Sequence, residues 1–327
     1  MPFRFKLSEP FEDGCRRIGR EQIERALTQL QGSGDRAVAV HETRKSLKRL
    51  RALLHLIRPP LGEDTYKAEN AHLREIATLL SGARDRHVLL ETIAKLESSA
   101  VLVRKNIGNA VREVLLSVNG SDNHTIETTA MKQAQALLGE AGRRFARLRL
   151  PGKGFDVIGP GLELTYRKGR RGLRSACLEN TDEAFHEWRK EAQRHWRHMM
   201  LLSRAWDEAI GARVAAARAL SQVLGDDHDL ALLVAFVRSE SASGLAEEAT
   251  VTVEKLARQR QQELRRLARP MGERLFAEGA KSLRRRMAAY WAAAVDLKDH
   301  EPQRPKAEKL SPAPPRRRRS LRANTLG

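Results

Sequence analysis

His41-Glu42-Thr43-Arg44-Lys45-Ser46-Leu47-Lys48-Arg49-Leu50-Arg51 returns later in the chain as His186-Glu187-Trp188-Arg189-Lys190-Glu191-Ala192-Gln193-Arg194-His195-Trp196, without a gap and at an offset of 145 positions. The identities fall on His, Glu, Arg, Lys and a second Arg. Shared leucine or alanine would say little in a helical protein. A shared cationic cluster is costly to place twice, because like charges one helical turn apart repel. The repetition predicts a duplicated unit that presents positive charge to an anionic partner.

On a helix advancing about 100 degrees per residue, Arg44, Lys45, Lys48, Arg51 and His55 fall within about 80 degrees of His41. Leu47, Leu50, Leu53, Leu54 and Ile57 fall on the opposite side. One face is therefore expected to bury leucine and the other to offer a cationic stripe. In the second copy, His186, Arg189, Lys190, Gln193 and Arg197 form the stripe. Trp188, Ala192, His195, Met199 and Leu202 form its buried side. Gln193 stands where Lys48 stands, which weakens this copy; Arg197 restores a cation one turn on. A single stripe of this kind is most simply a solvated face. Two copies with few interleaved acids read as a binding face. His41 and His186 lie on the polar side, among Arg and Lys rather than metal ligands, and suit hydrogen bonding to an anionic oxygen. His195 reads as structural.

Helical periodicity extends outward from these segments over nearly the whole chain. It predicts helices at about 11–31, 38–58, 64–80, 84–105, 108–118 and 124–148, then 160–178, 182–205, 208–224, 228–239, 244–268 and 272–296. Turn chemistry marks the breaks at Gly32-Ser33-Gly34, Pro59-Pro60, Asn119-Gly120 and Pro151-Gly152-Lys153-Gly154. Alternating strand patterns are missing, so the expected class is all-α. Residues 1–297 form the helical body, in two repeats of about 10–150 and 160–297 joined by the 151–161 segment. From Lys298 the character changes: five prolines appear, and nine Lys and Arg stand against three Asp and Glu. The expectation for 298–327 is a basic, Pro-rich tail without a core of its own.

The whole chain of 327 residues holds 60 Lys and Arg against 41 Asp and Glu, a net charge of +19. Six of those charges lie in the tail, so the excess belongs to the body as well. The partner classes are nucleic acid, an anionic membrane surface or another polyanion. Hydrophobic residues reach 41 %, enough for a core, whereas aromatics are only 5 %. Scarce rings argue against single-stranded nucleic acid, whose bases stack on them. Cys15 and Cys177 are the two cysteines; their spacing suggests no metal site, and the expected compartment is reducing and cytoplasmic. No signal-peptide pattern or membrane span is expected, nor is any cofactor or metal.

Further basic elements surround the repeat. Arg167, Arg170, Arg171 and Arg174 follow i, i+3, i+4, i+7 on one helical face, and Arg143, Arg144 and Arg147 do so more briefly. Arg17 and Arg20 pair similarly near the start. A second repeat matches Arg74…Leu80-Ser81-Gly82-Ala83-Arg84-Asp85 with Arg218…Leu224-Gly225-Asp226-Asp227-His228-Asp229. In each copy a Gly-containing turn is expected, with Asp85 or Asp229 capping the next helix. Arg84 and His228 would then border the anion site. The pair His228-Asp229 also resembles a metal-dependent phosphohydrolase dyad, but the supporting histidines that a metal site needs are missing.

The pattern Val40-His41-x-x-Arg44-Lys45-x-x-Lys48-Arg49-x-Arg51, then Arg84-Asp85, then Phe185-His186-Glu187-Trp188-Arg189-Lys190, resembles the CHAD domain, the conserved histidine α-helical domain. The stretch from Leu275 to Tyr290-Trp291 is similar to that family's C-terminal end, so the resemblance covers about residues 10–297. It implies two four-helix bundles related by a pseudo-twofold, with a basic channel between them. It also implies binding of inorganic polyphosphate and, in some members, association with polyphosphate granules. Many members follow a CYTH triphosphate-hydrolysing domain. Its Glu-x-Glu-x-Lys start is not found here, so no hydrolase activity is expected. Gln193 and the basic tail are departures from the pattern.

The residue chemistry agrees with that implication. Polyphosphate has no bases to read, so a binder needs charge and guanidinium forks. The expected contacts are His41, Arg44, Lys45, Lys48, Arg51, His186, Arg189, Lys190 and Arg197, with Arg167, Arg170, Arg171, Arg174, Arg17, Arg20, Arg74 and Arg218 around them. A nucleic-acid-associated role carried by Arg316–Arg319 is the second reading. Catalysis through His228-Asp229 or His41 is the third.

Overall fold

Asp35 and Thr181 open the two copies of the repeated helix. Each side-chain oxygen accepts a backbone N–H of the first turn, from Ala37 at 2.7 Å and from Ala184 at 3.2 Å. The computed structural model describes residues 3–32, 34–80, 82–97, 106–117 and 123–300, and the side chains of these except at 82–87 and 123–127. Twelve α-helices lie among the described residues, and no strand. The first half holds α1 (Phe11–Gln31), α2 (Arg36–Leu56), α3 (Arg58–Leu61), α4 (Glu63–Leu79), α5 (Gly82–Leu96), α6 (Ile107–Ser117) and α7 (Asn123–Ala146). The second holds α8 (Gly159–Glu179), α9 (Asp182–Leu202), α10 (Asp207–Val237), α11 (Glu247–Leu275) and α12 (Ala280–His300). The expected part of a helix over 98–105 lies outside the described residues, as do the Asn119-Gly120 turn, Ser33, and all of the tail beyond His300.

Two expected breaks do not occur. The turn at Leu224-Gly225-Asp226-Asp227-His228-Asp229 is replaced by the unbroken α10, so Asp229 lies inside the helix rather than at its start. Glycine inside a helix costs about 1 kcal/mol, and packing outweighs it. Leu224, Leu230, Leu233 and Val234 are buried on either side. Arg265 Nε donates to Asp227 Oδ1 at 2.8 Å, and Gln261 Nε2 to the Asp227 carbonyl at 3.1 Å. In the first copy the break is real, because α4 stops at Leu79 and α5 begins at Gly82. The boundary expected between 268 and 272 is absent as well. Pro270 sits inside α11, where it removes one intrahelical bond while Ala268, Gly272 and Leu275 around it stay buried.

Helix order repeats: α2 packs against α1 and α4 as α9 packs against α8 and α10. The core does not divide along the same line. One apolar cluster runs from Phe3 to Trp291 and joins α1, α2, α4, α7, α8, α9, α12, the first half of α10 and the C-terminal end of α11 at Ala268 and Leu275. A second cluster joins α5, α6 and the rest of α11 to the other half of α10, through Ile93, Val111, Leu233 and Val253. The second half of the 151–161 segment is packed, with Val157 and Ile158 buried, while residues 151–154 are exposed. The unit of packing is therefore not the unit of sequence repetition.

The two copies are locked together at backbone distance. His198 Nε2 lies 2.9 Å from the Ala52 carbonyl. Gly161 lets α8 meet the end of α2: a Cβ there would fall 1.8 Å from the Leu56 carbonyl oxygen. Gly161→Ala is expected to destabilise the fold by about 3 kcal/mol, the upper end for overpacking, measured by thermal or denaturant unfolding. An unchanged midpoint would mean that α8 can move away from α2 freely.

Candidate anion-binding cavity

The leucine face of α2 fixes its rotation. Leu47, Leu50, Leu53, Leu54, Leu56 and Ile57 are all buried, and so are Ala192, His195, His198, Met199, Leu201 and Leu202 at the same register of α9. Each large apolar side chain withdrawn from water contributes roughly 1.5–3 kcal/mol, so the polar faces have no choice of direction. They meet at a cavity of about 340 Å³. From α2 it is lined by Arg44, Lys48, Arg51 and His55. From α9 come His186, Arg189, Lys190, Gln193, Arg194 and Arg197. α10 adds His228 and Asp229, and α5 adds Val88. Asp229 is the single acid among these lining residues.

Several of the cations are positioned by neighbouring groups. Arg44 Nη1 donates to the carbonyls of Ala77 and Leu80, at 2.8 and 3.1 Å, and so satisfies the end of α4. Arg51 Nε donates to Asn70 Oδ1 at 3.0 Å. Lys190 pairs with Glu187 and Arg194 with Glu191 on the same helix. Arg197 Nη1 donates to the Gln193 carbonyl at 3.0 Å, and its guanidinium lies 5.1 Å from the Trp196 ring centre.

Crowded positive charge leaves its mark on these groups. Burial, and then Arg49, Arg189 and Arg51, push Arg197 down to about 10. Burial, then Arg194 and Arg74, lower Arg51. Burial, then Lys190 and Arg189, lower His186. Burial, then Arg189, His186 and Lys48, push His228 down to about 3. Each depressed group is one that an entering anion would relieve.

The structure brings together Arg44, Lys48, Arg51, His186, Arg189, Lys190 and Arg197 from the sequence-predicted set. The others lie elsewhere. His41 and Lys45 are exposed on α2 and do not line the cavity; Lys45 Nζ instead donates to Glu42 Oε1 at 2.7 Å. Arg17 is enclosed by Glu9 and Glu21, and Arg20 faces Glu24 at 3.7 Å. Arg74 and Arg218 are exposed on α4 and α10, outside the lining. On α8, Arg167, Arg171 and Arg174 are exposed and Arg170 is half-buried. Arg171 lines a different groove, among Glu179, Glu183, Glu187 and Glu191. The side chains of Arg84 and Asp85 lie outside the described set, as do Arg316–Arg319.

His55 corrects the stripe. It is buried against Tyr66, whose hydroxyl is 3.1 Å from Nδ1, and burial with Arg194, His198 and Arg51 nearby pushes it down to about 2. It lines the cavity as a neutral group. Arg194 is a lining residue that the sequence reading left out. It stands about 80 degrees from His186 on the helix, at the edge of the stripe, where the signal was present. The His228-Asp229 pair does not assemble as a metal dyad: His228 Nδ1 lies 3.1 Å from His186 Nδ1. Among the described residues, no three His, Cys, Asp or Glu are grouped to hold a metal ion. No helix among them is long and apolar enough to cross a membrane.

The paired cationic motif lies within a stretch that comparison with known families matches. The CHAD domain matches residues 17–238, and the chain belongs to the CHAD domain family. The match opens inside α1 and closes at the end of α10. α11 and α12 lie beyond it, yet they bury Val253, Ala257, Leu283 and Met287 in the two apolar clusters. No curated protein matches the chain.

Proposed function

We propose that this chain binds inorganic polyphosphate, without catalysing its turnover, in the cavity between α2, α9 and α10. The observation that carries the reading is the lining itself: seven Lys and Arg from two helices converge on one cavity with Asp229 as the single acid. Phosphate oxygens match guanidinium forks and ammonium groups held in place, and a cavity this charged is poorly suited to any neutral ligand. Membership of the CHAD family supports the same partner. In a cell, such a site would place the protein at polyphosphate granules.

The direct test is titration of labelled polyphosphate against the full chain, with duplex DNA as competitor. Saturable binding that DNA displaces only weakly is the expected result. DNA binding equal to or tighter than polyphosphate binding would shift the reading to a nucleic-acid-associated protein.

Lys48 and Gln193 occupy equivalent positions of the repeat and both line the cavity. A charge-assisted contact is worth about 1.5–3 kcal/mol and a neutral one about half as much. Lys48→Gln is therefore expected to weaken polyphosphate binding by about tenfold, and Gln193→Lys to strengthen it, with both effects shrinking at high salt. Unchanged affinity in both variants would remove this helical position from the ligand path.

A further inference from the structure

His186 on α9 and His228 on α10 both line the cavity, with their Nδ1 atoms 3.1 Å apart and their ring centres 4.3 Å apart. At that separation one Nδ1 carries a proton and the other accepts it. Two neutral rings hold two protons. One lies between the Nδ1 atoms. The other sits on the outer Nε2 of the accepting ring, because that ring's Nδ1 is the acceptor. The donating ring is left with a bare Nε2, a lone pair that repels an anionic oxygen. One added proton goes to this bare Nε2. Both outer nitrogens are then donors, the pair carries one positive charge, and the Nδ1–H···Nδ1 bond survives. A second added proton would have to occupy the accepting Nδ1, break that bond and set two charged rings face to face.

The groups around the pair come from each neighbouring helix. α9 supplies Arg189 and Lys190, opposed by Glu183 and Glu187. α2 supplies Lys48, and Asp182 acts on His228 from the start of α9, where Arg258 and Arg265 of α11 pair with it. α10 adds Asp229, and α5 lines the cavity with Val88. Burial first, and then the net positive field of the unliganded site, holds both rings below the ordinary histidine range.

We infer that polyanion binding in this cavity is coupled to the uptake of one proton by the His186–His228 pair, so that the site tightens its hold on phosphate as the medium acidifies. This rests on the binding role proposed above. A polyanion reverses the local field and raises the pair's proton affinity. Well above the bound-state pKa, neither form holds the extra proton and affinity is flat. As pH falls through that value, the bound form gains the proton while the free form does not. Affinity then rises by up to about tenfold per pH unit.

The test is calorimetric titration of the full chain with long-chain sodium polyphosphate, whose internal phosphates do not titrate near neutrality. It is run at constant ionic strength over about pH 5.5 to 8, in buffers of different ionisation enthalpy. Wild type is expected to take up close to one proton per bound chain at the acid end. The double variant His186→Asn with His228→Asn is expected to take up close to none and to lose the pH dependence. Uptake equal in wild type and the double variant overturns the inference and leaves the binding role standing, as does uptake approaching two protons. If the double variant fails to fold, a flat wild-type profile overturns it just as well. No binding at low salt at any pH would overturn the binding role itself.

Discussion

Polyphosphate affinity for this chain is expected to fall by roughly 10³–10⁴-fold when monovalent salt rises from about 50 to about 200 mM. The figure follows from the cavity lining. Seven Lys and Arg, at positions 44, 48, 51, 189, 190, 194 and 197, converge there. If each neutralises one phosphate, as on duplex DNA, the logarithm of affinity falls about 0.9 per contact for each decade of salt. Ion pairs such as Lys190–Glu187 and Arg194–Glu191 pull the slope down, because part of their charge is already balanced. The measurement is a series of labelled-polyphosphate titrations across salt. A slope corresponding to one or two contacts would mean that the cavity does not hold the polymer along its lining.

Arg197→Met is expected to lower polyphosphate affinity by about ten- to a hundredfold and to leave the melting temperature no lower. The two effects have opposite origins. Arg197 is pushed down to about 10 by burial and by three neighbouring arginines, so below that pH the charged form costs the folded state on the order of 3 kcal/mol. The sign is that of a cation whose folded pKa is depressed: the cost is fully present below the folded pKa and fades as pH rises through it. Methionine keeps an apolar side chain and removes the charge. The ligand then loses a charge-assisted contact worth about 1.5–3 kcal/mol. Function and stability thus pull apart at this position. A variant that both melts earlier and binds as well as wild type would show that Arg197 is a structural cation.

The division between what the sequence disclosed and what it hid follows helix geometry. The buried faces of α2 and α9 were readable because leucine spacing sets rotation, and every predicted buried residue from Leu47 to Ile57 and from Trp188 to Leu202 is buried. The stripe was readable as a stripe but not as a lining. The cavity meets α2 on the Arg44–Lys48–Arg51 side and α9 more centrally, so Lys190 lies inside while its repeat partner Lys45 lies outside. Arg194 is inside, while Arg49 turns toward Gln22 and the Phe3 ring. A helical wheel gives directions, not which neighbour occupies each one. The same limit explains Arg17, whose i, i+4 partner Glu21 was visible but whose other partner, Glu9, comes from outside its helix.

The unbroken α10 has a different cause. Gly225, Asp226 and Asp227 are a turn signal by local chemistry. Contacts from α11, more than thirty residues downstream, overrule it through Arg265 and Gln261. Helix continuity there is what places His228 beside His186, a pairing that no sequence spacing announces.

The central claim is that the cavity, and not the basic tail, holds the polymer. The measurement that tests it most directly compares polyphosphate affinity in two forms of the full chain. One carries Arg189→Ala with Arg197→Met; the other has Arg316, Arg317, Arg318 and Arg319 all changed to alanine. Preorganised cations on packed helices bind without an ordering cost, so the cavity variant should lose about a hundredfold or more while the tail variant stays within about tenfold of wild type. A tail variant that loses more affinity than the cavity variant would contradict the account.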